Sequence, residues 1–149
     1  MKPAAACALA WMLFGCAGGP PRPATLDTRN DACGACRMAV SNSRFAAQIV
    51  APGEEPVFFD DIGCLADYLR QHGTQPARAM AYVADHRTSE WVLAAAAIFT
   101  RVAGLDTPMG SHVIAHASPS SRDADTAART GTDVPPATLF PTPIPDGTR

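Results

Sequence analysis

The chain has 149 residues, 47% of them hydrophobic, and a formal net charge of -2 at pH 7. This length suits one ordinary domain, and a mildly acidic balance without a basic run argues against nucleic acid as a partner. Much of the apolar content is alanine, so we expect a small and tightly packed core.

The first residues are typical of an export signal. Lys2 precedes an apolar run of about 11 residues that ends at Phe14, which is too short to span a bilayer. Residues 13–16 read Leu-Phe-Gly-Cys and resemble the lipobox of bacterial lipoproteins, in which the cysteine is lipidated and begins the mature chain. The sequence therefore predicts a lipoprotein signal peptide over residues 1–15 and lipid attachment at Cys16.

An ordinary signal peptide, with Cys16 incidental, is the alternative. Under the lipoprotein interpretation the protein is exported and faces the periplasm. Ala17, rather than an aspartate, follows Cys16. By analogy with such lipoproteins, this favours the outer membrane over the inner one.

Both ends of the expected domain are rich in residues that break regular structure. Residues 16–31 contain Gly, Pro and small polar residues without a hydrophobic period, which predicts a flexible tether. Five prolines fall within residues 134–149, and they predict a disordered tail over 135–149. We therefore expect the folded domain over residues 32–134.

The pattern strand, strand, helix, strand opens this domain. Apolar runs at 45–50 and 57–60 flank a Pro-Gly turn, which predicts a hairpin. Hydrophobic residues then repeat at helical spacing, predicting a helix capped by Asp60 or Asp61 and ended by Gly73. Residues 79–84 predict the returning strand.

The second half repeats this order more faintly. An apolar stretch covers residues 91–102, a strand is predicted over 112–117, and Ser118-Pro119 can open a helix that Gly131 ends. Two related ββαβ units, with helices packed on small antiparallel sheets, predict an α+β fold.

Residues 33–38 read Cys-Gly-Ala-Cys-Arg-Met and bring two thiols and a thioether together. Arg37 occupies the place where c-type haem attachment needs His, and the motif precedes the first strand, unlike a thioredoxin-like site. A structural zinc site would need a second compact ligand pair, which the sequence lacks. A disulfide between Cys33 and Cys36, or with Cys64, and a soft-metal site remain as interpretations.

Met38 favours the soft-metal site, because a thioether adds nothing to a disulfide but is a good ligand for Cu(I). In an extended segment, Cys36 and Met38 would lie on one face. Met109 is the further candidate ligand, because its Thr-Pro-Met-Gly turn would leave it exposed unless it is packed or bound. A role as a core filler is the alternative for Met109.

The remaining polar and sulfur residues have simpler interpretations. Cys64 is expected in the first helical turn as a small packing residue, with a third sulfur ligand or a disulfide partner as alternatives. Asp60 and Asp61 are interpreted as helix caps, so no catalytic constellation is present and we do not expect an enzyme. The histidines are expected to be structural or solvent-facing, with His112 the best exception because it is near Met109; the others are His72, His86 and His116.

Four motifs occur in order along the chain: residues 31–40, Phe58-Phe59-Asp60-Asp61-Ile62-Gly63-Cys64, Glu90-Trp91 and Thr107-Pro108-Met109-Gly110. Together they resemble the NosL family of copper-binding lipoproteins, chaperones in the assembly of nitrous oxide reductase. The resemblance implies two ββαβ units, a lipid anchor and one bound Cu(I). It also implies delivery to the maturation machinery of the copper-sulfide centre, including a membrane transporter complex and its periplasmic subunit.

Carried over by position, Cys36, Met38 and Met109 match the ligand residues of the family. Cys33 matches the preceding cysteine, and its role in binding, protection or oxidation stays open. A copper shared between two chains is a further open alternative. The rival functions are a thiol-disulfide exchanger that uses Cys33 and Cys36 and a structural lipoprotein whose cysteines only staple the loop.

Overall fold

Two small antiparallel sheets and three helices make up the computed structural model, which describes residues 19–148. The predicted signal peptide and Cys16 lie outside these residues. The elements are β1 (Ala47–Val50), β2 (Val57–Phe59), α1 (Ile62–His72), β3 (Met80–Ala84), β4 (Trp91–Leu93), β5 (Ile98–Arg101), β6 (Val113–His116), α2 (Pro119–Ala124), β7 (Thr132–Val134) and α3 (Pro136–Leu139). None of the described helices has the length and apolar character that crossing a bilayer requires.

The predicted α+β fold with two ββαβ units is confirmed. The first unit, β1-β2-α1-β3, has the strand order β2-β1-β3, and β4 adds to the free edge of β3. The second unit, β5-β6-α2-β7, has the equivalent order β6-β5-β7. In both units the first strand is central, so the helical connection crosses it to reach the far side.

The first helix begins and ends at the residues that the sequence predicts. Asp61 is the N-cap, and its Oδ1 accepts a hydrogen bond from the Gly63 N–H at 2.6 Å. Gly73 ends the helix in the left-handed region, with φ of +56°, and its N–H donates to the Leu69 carbonyl. The helix buries the side chains of Ile62, Cys64, Leu65, Ala66 and Leu69.

The second helix is shorter than predicted. Ser118 is its N-cap and Pro119 its first residue, as expected, but the helix ends at Ala124. Asp125 then adopts an extended conformation and caps a separate 3₁₀ turn, Thr126–Thr130, by accepting from the Ala127 N–H. Gly131 therefore ends this turn instead of the α-helix, because the aspartate caps a new start within the predicted span.

The segments on either side of the expected domain lie against it, unlike the predicted tether and disordered tail. Gln48 exchanges two hydrogen bonds with the backbone of Ala24. At the other end, the buried Phe140 packs edge-on against Phe99, with ring centroids 5.5 Å apart, and the Pro145 carbonyl accepts from Ala81. Proline content favours extended chain, but here the extended chain finds apolar and hydrogen-bonding partners on the sheets.

Candidate metal centre

The Cys33 to Met38 segment is a tight turn, not an extended segment. The Cys33 N–H donates to the Met38 carbonyl at 2.7 Å, and the Arg37 N–H donates to the Cys33 carbonyl at 2.9 Å. Arg37 closes the turn in the left-handed region, with φ of +67°. The expected alternation, which put Cys36 and Met38 on one face, therefore does not apply, and the turn itself holds the two residues close.

Gly34 fixes this turn to the edge of the first sheet. Its N–H donates to the Phe58 carbonyl at 2.8 Å, and Cys33 forms an isolated parallel β-bridge with Phe58. A Cβ atom at Gly34 would lie 2.4 Å from Cγ1 of Val57, so no other residue fits without movement. The close approach of the turn to β2 therefore depends on glycine.

Replacing Gly34 with alanine should displace the cysteine turn from β2. We expect a loss of about 1–3 kcal/mol in the free energy of unfolding, the usual cost of overpacking, together with weaker metal binding. Urea unfolding of the metal-free protein measures the first effect. Gly19→Ala is the matched control, because a Cβ there meets no atom within 4 Å. Equal stability of the two variants would contradict the steric argument.

Three thiols converge where this turn meets the start of α1. Cys33 and Cys36 come from the turn, and Cys64 comes from the first turn of the helix. Their sulfur atoms all lie within 4.8 Å of one another, and all three are free cysteines. Cys33 and Cys64 are buried, whereas Cys36 is partly exposed. Cys64 is thus buried, as expected of a small packing residue, and its sulfur also lies beside the two thiols of the turn.

The three thiols differ in how readily they ionise. Burial opposes ionisation of Cys33, but backbone N–H groups of Cys36, Asp60 and Ala35 outweigh it, and its pKa is lowered. Burial raises the pKa of Cys36, and a hydrogen bond to Cys33 adds to that effect. Burial, followed by the negative charge of Cys33, raises the pKa of Cys64 strongly. Cys33 is therefore the first thiolate of the cluster.

The spacing of the sulfurs suits a soft metal ion. With metal–sulfur bonds of about 2.3 Å, three sulfurs in a trigonal plane lie about 4.0 Å apart, and two opposite sulfurs about 4.6 Å. Because the three sulfurs all lie within 4.8 Å of one another, they can reach either arrangement with little movement. Thiolate and thioether ligands select Cu(I) over harder divalent ions.

The turn that carries Met109 lies against the same end of α1. The Met109 N–H donates to Oδ2 of Asp61 at 3.1 Å, while the other oxygen of Asp61 caps the helix. A Cβ at Gly63 would lie 3.0 Å from Cβ of Ser111, so the glycine permits this close contact. Asp61 therefore connects the Met109 turn to the helical turn that presents Cys64.

Neither predicted thioether ligand is packed into the core. The Met38 side chain is 50% exposed and that of Met109 is 42% exposed. Within residues 19–148 only one other large apolar side chain, Leu93, is comparably exposed, at 36%. The alternative interpretation of Met109 as a core filler is therefore wrong, and both methionines lie at the surface.

The histidines have other partners. Nδ1 of His112 lies 2.7 Å from the Leu105 carbonyl, and exposed His72 stacks on Tyr68. His86 and His116, in contrast, are fully buried and both contact Oδ2 of Asp125, at 2.6 and 3.0 Å. Of the two expectations, a structural role fits this buried pair and a solvent-facing one does not.

This His86–His116–Asp125 group has ligand types that could hold a metal, but its contacts are those of a hydrogen-bonded network. One nitrogen of each imidazole ring is already within hydrogen-bond distance of the same oxygen, Oδ2 of Asp125. Nη2 of Arg44 lies 3.4 Å from Nδ1 of His86 and would repel a cation there. We therefore interpret the group as a structural junction between the two units.

The sequence profile of the family described as NosL matches residues 23–134, well over half of the chain. Comparisons with curated proteins and with solved structures gave no match. The matched span contains the cysteine turn, Cys64 and Met109. The family is known for binding copper and not as a family of enzymes, and the three-thiol cluster is consistent with a copper-binding role. The chain belongs to the NosL family.

Proposed function

We propose that the protein is a lipid-anchored periplasmic chaperone that carries Cu(I) for maturation of the copper-sulfide centre of nitrous oxide reductase. The main support for this proposal is that the thiols of Cys33, Cys36 and Cys64 lie together in a member of a copper-binding family. The N-terminal sequence supports the exported location, the Cys16 anchor and the outer membrane. The partners proposed are the maturation machinery and the periplasmic subunit of its membrane transporter complex.

The ligands proposed for this cargo are Cys36, Met38 and Met109, with Cys33 beside them. The partly exposed thiol and the two exposed thioethers leave room for a ligand from a partner protein to enter. A closed four-ligand site would instead retain its metal, as structural sites do. Accessible soft ligands therefore suit transfer of Cu(I) better than permanent storage.

Thiol-disulfide exchange is less well supported by the same residues. A reactive cysteine should be accessible and have a lowered pKa. In this cluster the lowered pKa belongs to Cys33, which is fully buried, while Cys36 is accessible and its pKa is raised. Neither thiol has both properties that a nucleophilic exchange site needs.

Complementation tests the proposed function directly. A denitrifying host that lacks its own NosL protein should recover the copper-sulfide centre of nitrous oxide reductase when it expresses the full chain. The copper content and absorption spectrum of the purified reductase measure recovery. Reductase that stays without this centre, although the chain is exported and folded, would overturn the proposed recipient.

Met38→Ala should lower the Cu(I) affinity of the reduced protein by about 10-fold, because a soft ligand is removed from the surface of the site. Competition with a Cu(I) chelator measures the change. Leu93→Ala is the matched control, since it removes an exposed apolar side chain on β4, at the sheet edge opposite β2. An unchanged affinity in Met38→Ala would contradict the ligand assignment.

A further inference from the structure

The sulfur atoms of the candidate site form two sets that differ in burial. The outer set consists of the thioethers of Met38 and Met109, two residues that are 50% and 42% exposed. The inner set consists of the thiols of Cys33 and Cys64, which are 0% and 5% exposed. Cys36 is partly exposed and its sulfur lies within 4.8 Å of both inner sulfurs. Cys36 thus shares the partial exposure of the outer set, and its sulfur is close to the inner one.

The inner set is arranged as a binding site and not only as packing. Its thiols come from two separate elements, the turn on β2 and the first turn of α1, yet their sulfurs approach to within 4.8 Å. Backbone hydrogen bonds also fix the position of Cys33: its N–H donates to the Met38 carbonyl, and its carbonyl accepts from the Arg37 N–H. Hydrogen bonds around a metal site orient the ligand residues.

We propose that Cys33, Cys36 and Cys64 form an inner three-sulfur Cu(I) site, and that Cys36 passes the ion between this site and the outer thioethers. The proposal rests on the proposed function and assigns Cys64 as a ligand. Transfer occurs by ligand exchange, with one copper–sulfur bond forming as another breaks. Copper stays in the +1 state, and each thiol that joins releases its proton to solvent.

The two sets have different roles in this scheme. The exposed thioethers capture the ion and present it to a partner, whereas the buried thiols hold it away from solvent and from competing ligands. Loss of an outer ligand should therefore slow exchange. Loss of an inner ligand should shorten the time for which copper is retained.

The first test removes both outer ligands. The Met38→Ala/Met109→Ala double variant should still bind one Cu(I), and X-ray absorption should show three sulfur neighbours from the inner site. Both side chains are exposed, so the substitutions leave the core intact. Loss of copper binding, or fewer than three sulfur neighbours, would overturn the inner site.

The second test removes Cys64. Cys64→Ala and Cys64→Ser should each bind one Cu(I) through the outer set but release it to a chelator at least about 10-fold faster than the wild type. Urea unfolding shows which of the two variants keeps the stability of the wild type. The release rate is then compared between that variant and the wild type. Release at the wild-type rate would overturn the role of Cys64. Failure of the wild type itself to bind Cu(I) would instead refute the proposed function.

Discussion

Cys36→Ser is expected to lower the affinity for Cu(I) by on the order of 100-fold or more, the largest loss from a single substitution. Serine keeps the size of the side chain but replaces a soft sulfur with a hard oxygen. Cys36 is adjacent to both buried thiols and lies in the same turn as exposed Met38, so it serves both sulfur sets. Outer-shell changes at metal sites already cost about 10- to 100-fold, and a shared ligand should cost at least as much.

Chelator competition on the reduced protein measures this affinity. Cys36 is partly exposed, so the metal-free variant should unfold in urea within about 1 kcal/mol of the wild type, which separates loss of a ligand from loss of fold. Leu93→Ala again provides the control for an unrelated substitution. Wild-type affinity in Cys36→Ser would show that copper does not use Cys36.

The predictable parts of the fold depend on local chemistry. Asp61, Gly73 and Ser118-Pro119 act within a few residues, through capping, a left-handed φ and a fixed proline φ, and each has the predicted role. The Pro-Gly turn similarly sets the β1–β2 hairpin. Where the residues that start or end a helix or hairpin lie within a few positions of one another, the sequence alone identifies that element.

The parts that were not predictable depend on distant contacts. Proline content argues for a disordered tail, but Phe140 finds Phe99 and the Pro145 carbonyl finds Ala81 across the fold. The residues next to Phe140 in the sequence do not predict the contacts with Phe99 and Ala81. Asp125 interrupts the second helix, and its side chain also accepts from two histidines on other segments.

The same division explains the site. The local Cys-x-Met pattern is enough to suggest a soft-metal site, and the Thr-Pro-Met-Gly turn adds Met109. The inclusion of Cys64 depends on the docking of the cysteine turn against β2 and on the cap of α1, which bring two elements together. Helical periodicity places Cys64 on a face of α1 but cannot say which loop covers that face.

The junction between the two units depends on one carboxylate. Asp125 is buried, and its Oδ2 contacts Nδ1 of His86 and Nε2 of His116. His86 follows β3 of the first unit, and its N–H donates to Ala115 in β6 of the second. Burial lowers the pKa of His86, and the nearby Arg44 adds to this effect, so the ring is neutral at pH 7 and donates to the carboxylate.

Asp125→Ala should therefore destabilise the protein by about 3 kcal/mol at pH 7, because two buried ring nitrogens lose their acceptor, each at a cost of about 1–3 kcal/mol. Asp125→Asn is the matched variant: it keeps the cap of the 3₁₀ turn and should lose less. Urea unfolding at pH 7 measures both changes. Wild-type stability in Asp125→Asn would assign the loss in Asp125→Ala to the cap and not to the histidines.

The pH dependence gives a second measure of the same carboxylate. Burial opposes its ionisation, but the hydrogen bonds from His86 and His116 lower the pKa of Asp125 to about 2, below its ordinary value of 3.8. A lowered folded-state pKa contributes stability above the unfolded value, and this contribution, about 2 kcal/mol, is lost as pH falls from about 4 to about 2. His86 adds an earlier loss as pH falls below about 6.5, since its folded-state pKa is also lowered. In Asp125→Ala the loss of stability between pH 4 and 2 should be smaller, because the contribution of Asp125 is absent. The contribution of Asp85, whose pKa is also lowered, should remain. An unchanged acid profile would mean that Asp125 is not the ionised centre of the junction.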